Sequence, residues 1–230
     1  MMGKTVRFAL AAAMLTLALP AALQAQATVK LTKHNLSVGT RDASFTALTG
    51  KVADYGEVCA YCHTPHSGSS TIPLWNRANS AATYTMYTST NSATMDMTVG
   101  AAPGPVSLAC ASCHDGTVGL DVITNKPNAA SAVTALNQTF GTVFTGAVNA
   151  LKILGADLTN DHPVAVTYDN TKDVAFVAKT TVVAAGLPFY GAAKDQLECG
   201  TCHNPHNNTN APFLRVSNSG SALCLTCHIK

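Results

Sequence analysis

Charge is scarce in this 230-residue chain: only 11% of its residues are Asp, Glu, Lys or Arg. Basic and acidic residues nearly balance, at 14 against 12. No basic field is available to hold a phosphate backbone, which argues against nucleic-acid binding. Disorder driven by charge is excluded too, because 47% of the residues are hydrophobic and the net charge is close to zero. Long apolar runs are also missing beyond the N-terminus. No later stretch reaches the ~18 uninterrupted apolar residues that a membrane span needs. The best, Val174 to Tyr190, is broken by Lys179 and two Thr.

The N-terminus is different. Lys4 and Arg7 form a basic start, Phe8 to Ala22 is apolar, and Ala25-Gln26-Ala27 is a small-residue cleavage pattern. Together these have the layout of an export signal. Residues 1–27 are expected to be a signal peptide cut after Ala27, with Ala25 as the near alternative. Lys4 and Arg7 leave with it, so the exported chain, 28–230, is neutral. No cysteine stands at the cleavage point, the first being Cys59, so lipid attachment there is not expected. Exported, soluble material with no membrane span is the expectation.

All eight cysteines fall into four copies of one pattern. They are Cys59-Ala-Tyr-Cys62-His63, Cys110-Ala-Ser-Cys113-His114, Cys199-Gly-Thr-Cys202-His203 and Cys224-Leu-Thr-Cys227-His228. C-x-x-C-H is the attachment signature of c-type haem. Two thiols add to the two vinyl groups on one edge of the porphyrin, and the next residue, His, lies under the ring and binds iron. A disulfide framework is the default for an exported, cysteine-rich chain, yet it gives no reason for a His after every second Cys. Two all-cysteine zinc sites would leave the four adjacent His unexplained. Four covalently bound haem c groups are therefore expected.

Eight residues are His. Four lie in the motifs, and His34, His66, His162 and His206 remain. Four irons need four ligands on their opposite faces, so the counts match, and bis-His coordination is expected throughout. The competing ligand is Met, present in the mature chain as Met86, Met95 and Met97; Met/His ligation would raise that haem's potential. Two of the remaining His sit in one device, His63-Thr64-Pro65-His66 and His203-Asn204-Pro205-His206. Three residues span at most ~10 Å. That is too short to carry the second His around the porphyrin to the far side of its own haem, so it should reach a different iron. Pro65 and Pro205 restrict the backbone and hold the two imidazoles apart.

The chain then reads as two copies of one unit, 59–114 and 199–230, separated by a cysteine-free insert, 115–198. The fold class expected is a multihaem cytochrome c: one domain, mostly loops, with short helices and a few short strands around four haems. Helical turns are expected at each motif. Thr83 to Thr90 reads as a strand or an extended loop. Val143 to Leu154, Val164 to Tyr168 and Val174 to Val183 are β-prone runs. Trp75 and many Leu and Val side chains are expected against the haem faces. Uncharged tracts, Asn128 to Leu151 among them, read either as plain surface or as surface packed on another subunit.

The doubled unit, with its H-x-P-H device and the segment Asn160-Asp161-His162-Pro163-Val164, resembles the paired-motif multihaem c-type cytochromes of metal-reducing bacteria. Four motifs, the length and an N-terminal His34 make it similar to the tetrahaem OmcE-type extracellular cytochromes, which polymerise into filaments. The small periplasmic tetrahaem cytochromes of sulfate-reducing bacteria are shorter and fit less well. The resemblance implies electron transfer without an enzymatic reaction, at the cell surface or outside the cell. It implies partners in further copies of the chain, other c-type cytochromes and extracellular acceptors such as metal oxides. It also implies that a neighbouring subunit donates one ligand, a role for which His34 is the candidate. The accompanying assignment pairs His66 with the site of Cys110 and Cys113, and His206 with that of Cys224 and Cys227. His162 is paired with the site of Cys59 and Cys62, and His34 with that of Cys199 and Cys202, the last two being interchangeable. The rival readings are a monomeric periplasmic electron shuttle and a multihaem reductase. The reductase needs an iron with an open position, which the His count does not leave.

Overall fold

The computed structural model describes residues 29–37, 48–69, 72–144 and 153–229. The expected signal peptide and positions 145–152 of one β-prone run lie outside the described residues. Most of the described chain is loop and turn. The helices are short: α1 Pro105–His114, α2 Phe140–Val143, α3 Lys179–Ala184, α4 Cys199–Cys202 and α5 Ala222–Cys227. Helices α1, α4 and α5 carry the second, third and fourth Cys pairs, and a 3-10 turn over Val58–Tyr61 carries the first Cys59. Helical turns thus stand at every motif, as expected. Pro105 opens α1 behind Gly104, where the missing N–H costs nothing.

Strands are fewer than the β-prone runs suggested. Among the described residues β1 Val166–Thr167 pairs antiparallel with β2 Gln196–Leu197, with Val166 opposite Leu197. The segment Thr83 to Thr90 is an extended loop that makes one bridge, Thr85 to Asp157. Val174 to Val183 departs from expectation, since its second half forms α3. Burial outweighs β-propensity there: Val182 is fully enclosed among Leu187, Phe189 and Tyr168, and Gly186, at φ +96°, turns the chain back after the helix.

Three apolar clusters organise the described loops, a small one around Met86, Leu158 and Ala165 and two larger ones. One of the larger two gathers Leu48, Val52, Tyr55, Tyr61, Leu120 and Phe140, with Cys62 and Cys113 packed on it. The other gathers Met97, Val166, Tyr168, Val182, Phe189 and Leu197, with Cys227 packed on it. The insert 115–198 is therefore not a separate lobe: its first part builds the core under the first two motifs and its last part the core under the fourth.

Buried side chains replace much of the missing sheet bonding. The Asp121 carboxylate is fully buried and accepts the backbone N–H groups of Ala53 at 2.8 Å, Leu136 at 2.7 Å and Asn137 at 3.0 Å. Tyr61, inside the first motif, donates its hydroxyl to Ala53 O at 2.8 Å and accepts the Tyr55 N–H at 3.0 Å. Burial pushes the Tyr61 phenol up to about 12, so it remains a donor at every physiological pH. Replacing Asp121 with Ala would strand three buried amides, each costing ~1–3 kcal/mol. Asp121→Ala is expected to lower stability by roughly 3–5 kcal/mol, and Asp121→Asn, which keeps one acceptor oxygen, by less. Guanidinium unfolding followed by far-ultraviolet circular dichroism would measure both.

Candidate haem-binding site

The four motifs form a row in chain order. The Cys62 sulfur feels that of Cys113, and the Cys110–Cys199 and Cys202–Cys224 sulfurs likewise lie within electrostatic reach of each other. Nothing pairs as a disulfide: all eight cysteines are free thiols. Burial raises Cys59, Cys62, Cys202 and Cys227, Cys62 to about 12 and Cys227 to about 11.

The centre of the row is the packing of α1 on α4, held by a shared carboxylate. Glu198, buried just ahead of α4, accepts the Gly104 N–H at 3.1 Å and the Ser107 hydroxyl. Ser107 Oγ in turn accepts the Cys199 N–H at 3.0 Å, and Thr201 Oγ1 accepts the Glu198 N–H at 3.0 Å. One side chain thus caps the start of two Cys-bearing helices. Burial raises the Glu198 pKa, and the Ser107 hydroxyl and the amides of Gly104 and Ser107 oppose that shift. Sequence reading missed Glu198, because its partners Gly104 and Ser107 lie far away along the chain.

Each H-x-P-H device folds as a hairpin, and the two hairpins are built alike. His63 bridges Trp75, and His203 bridges Leu214. The Thr64 N–H bonds Leu74 O, and the Asn204 N–H bonds Phe213 O. Cys62 O accepts the Asn76 N–H, and Cys202 O accepts the Arg215 N–H. The returning strand of each turns at a left-handed residue, Leu74 at φ +61° and Phe213 at φ +62°, a conformation uncommon outside glycine. The doubled unit read from the sequence is thus also a structural repeat.

The imidazoles meet in pairs. His63 and His206 have ring centroids 6.0 Å apart with planes 22° from parallel. His34 and His114 stand at 6.3 Å and 77°, His162 and His228 at 6.4 Å and 74°. An imidazole nitrogen bonds a metal at about 2.0–2.1 Å and its centroid lies about 1.2 Å behind, so rings on opposite sides of one metal stand about 6.4 Å apart. These three pairs fit that separation. His203 donates its Nδ1–H to Pro212 O at 3.1 Å, and His162 its Nδ1–H to Pro163 O at 3.1 Å. Those bonds leave Nε2 as the lone-pair nitrogen, the usual support for a metal-bound His. Burial, helped by the His114 imidazole, lowers His34 to about 4, which keeps it neutral, as ligation requires.

Two clefts lie at the later motifs. One of about 800 Å³ is lined by Cys199, Cys202 and His203 with Tyr84, Leu158 and His162. The other, of about 1080 Å³, is lined by Cys224, Cys227 and His228 with His162, Met97 and Phe176. Both present a Cys pair and its adjacent imidazole on an apolar wall. Thiol pairs with an imidazole beside each, on apolar walls, fit covalent haem.

The pairing differs from the expected one. His206 faces His63 rather than the site of Cys224 and Cys227, and His162 faces His228 rather than the site of Cys59 and Cys62. His34 faces His114 in its own chain and stacks on Phe213 at 4.3 Å, so it is not placed to reach a neighbour. His66 is exposed and not beside His114. The reason is packing order: α1 on α4 turns the second hairpin toward the first motif, and the insert folds back onto the fourth. The H-x-P-H reasoning keeps one result, for His206 faces an imidazole of another motif. Met86 and Met97 are buried in apolar clusters, and Met95 lines the cleft at the fourth motif. Trp75 stands edge-on to His63 at 5.7 Å.

Residues 191–230 match the family model described as Doubled CXXCH motif (Paired_CXXCH_1). No curated protein matches the chain. The match covers the third and fourth motifs and supports a multihaem c-type cytochrome carrying covalent haem c, with electron transfer as its role. No helix among the described residues is long and apolar enough to cross a membrane.

Gly200 lets the two central helices touch. A Cβ there would stand 2.7 Å from both Tyr190 Oη and Val106 Cγ1, closer than real contacts allow. Gly200→Ala is expected to cost about 1–3 kcal/mol and to reduce haem loading, read as a lower melting temperature and fewer haem mass increments per chain.

Proposed function

We propose that residues 28–230 form a single tetrahaem electron carrier, exported after removal of 1–27, whose copies join into a filament through His66. Bound haem supplies a one-electron ferric/ferrous couple at each motif. The protein's part is to attach each group by two thioethers and to hold imidazoles on both faces of the iron. In this reading His63 and His206 serve the site of Cys59 and Cys62, His114 and His34 that of Cys110 and Cys113, and His228 and His162 that of Cys224 and Cys227.

The observation that carries the reading is what remains. Among the described residues, no second imidazole stands opposite His203 at such a distance, and His66 is the one His left over. The hairpin repeat gives their relation. In the second hairpin His206 reaches another motif and Phe213 stacks on His34. In the first, the equivalent His66 and Leu74 are both exposed, Leu74 by 52%. The His66 turn is nevertheless fixed, since Asn125 Nδ2 donates to Ser67 O at 2.9 Å and the Thr64 hydroxyl to His66 O at 2.8 Å. A rigid turn presenting an unused imidazole fits the unpaired His203 of a second copy. That contact is head-to-tail, the type that propagates into an open fibre wherever its rotation does not close a ring. The row of thiols from Cys59 to Cys227 supports one continuous electron path through each copy. Outside the cell such a path would end on other c-type cytochromes or on metal oxides.

His34 lying in cis favours a second reading, a monomeric periplasmic shuttle. His66→Ala separates them. In the filament reading the variant yields dispersed particles by electron microscopy, while the His203 site alone turns high-spin and binds CO. Dispersed wild-type particles, with every haem low-spin, would leave the shuttle.

A further inference from the structure

The buried side chain that the haem reading has not used is Arg77. It is fully enclosed and all its partners are neutral. Nη2 donates to Ser112 O at 2.9 Å and Gly119 O at 2.8 Å, Nη1 to Leu120 O at 2.8 Å, and Nε to Ser112 Oγ at 3.2 Å. Ser112 is the residue between Ala111 and Cys113 in the second motif. The preceding residue, Asn76, binds the first motif: its N–H donates to Cys62 O at 2.9 Å and its Nδ2 to Ala60 O at 2.6 Å. The guanidinium therefore sits against the second Cys pair while its backbone is tied to the first, and its charge is felt at Cys62.

The neighbouring acids form no bond to Arg77, although Asp121 and Arg77 act in opposite senses on the Tyr55 phenol. Asp121 is held by the amides of Ala53, Leu136 and Asn137. Asp115, beside His114, accepts the Tyr84 hydroxyl at 2.8 Å and both the N–H and hydroxyl of Thr117. The carbonyl of Ser112, near the end of α1, offers only the partial negative charge of a helix C-terminus. A guanidinium does not deprotonate in proteins, so this positive charge persists at every working pH.

We propose that Arg77 is a fixed positive charge between the first two motifs that raises the reduction potential of the haems attached there. The inference rests on the four motifs being haem sites. Reduction takes one electron from the donor or electrode and converts ferric to ferrous iron, so the group loses one positive charge. A buried cation nearby favours the less positive state, and burial protects its field from salt. Arg77 itself exchanges neither electron nor proton.

The test is a potentiometric titration of the haem-loaded protein, with haem methyl signals assigned to their motifs by NMR, on wild type, Arg77→Lys, Arg77→Gln and Arg77→Met. The neutral variants are expected to lower the reduction equilibrium at the first two motifs roughly tenfold, about 59 mV for one electron. The haem of Cys224 and Cys227 should stay unmoved. Lys, which keeps the charge but not the fork, is expected to restore most of the shift. In wild type the haem of Cys59 and Cys62 should be reduced before that of Cys224 and Cys227. Unmoved potentials, an equal fall at all four haems, or the reverse wild-type order would overturn the proposal. So would haem loading that survives only with Arg or Lys, or only with Arg, because position 77 would then serve assembly. Wild type without haem mass increments would instead remove the haem reading beneath it.

Discussion

The constraint on which this architecture depends is a distance, the roughly 6 Å between facing imidazole rings, which in the proposed reading lets two rings share one metal. Three pairs meet it, at 6.0, 6.3 and 6.4 Å, and none of them joins residues close together in sequence. Short helices set one ring of each pair by fixing the Cys pair and its His in one turn. The opposite ring always arrives on a loop, so the loops must be held to within a fraction of an ångström although they lack sheet or helix bonding. This explains why so few regular elements coexist with so many buried side-chain hydrogen bonds.

Asp121, Glu198 and Asn76 do that holding. Each is buried, and each binds backbone groups from segments remote in sequence: Asp121 joins Ala53 to Leu136, Glu198 joins α1 to α4, and Asn76 joins Ala60 to Asn125. A buried polar group is costly unless satisfied, so each anchor specifies one arrangement of its loops and penalises the alternatives. The apolar clusters add the driving force, and they too draw on the insert as well as the motif segments.

What was legible in the sequence was the local chemistry. The four Cys-x-x-Cys-His segments, their helical turns, the equality of motif and remaining His, and the doubling of the H-x-P-H unit all follow from residues a few positions apart. What was not legible was long-range. Which imidazole faces which is decided by α1 packing on α4 at Gly200 and by the return of 153–168 toward the fourth motif, and neither leaves a local mark. Val182 shows the same limit on a smaller scale: a β-branched run reads as strand until one knows that its core neighbours are Leu187 and Phe189. Arg77 and Glu198 look like ordinary surface charges in a chain otherwise poor in charge. Only tertiary structure shows them buried at the Cys pairs.

Two orders run through the molecule, and they do not coincide. The thiols follow the chain, first motif to second to third to fourth. The facing imidazoles cross it: the third motif's hairpin reaches the first motif, the N-terminal His34 reaches the second, and the insert's His162 reaches the fourth. A row joined only to its neighbours would behave like a repeat protein, in which units can form or fray one at a time. The crossing imidazoles remove that freedom. The second hairpin cannot leave the first motif without also moving Phe213 from His34, and hence disturbing the second. Attachment at one motif therefore favours the geometry at the next. The same tie couples the spacing at the first two motifs, because the second hairpin contacts both His63 and, through Phe213, His34.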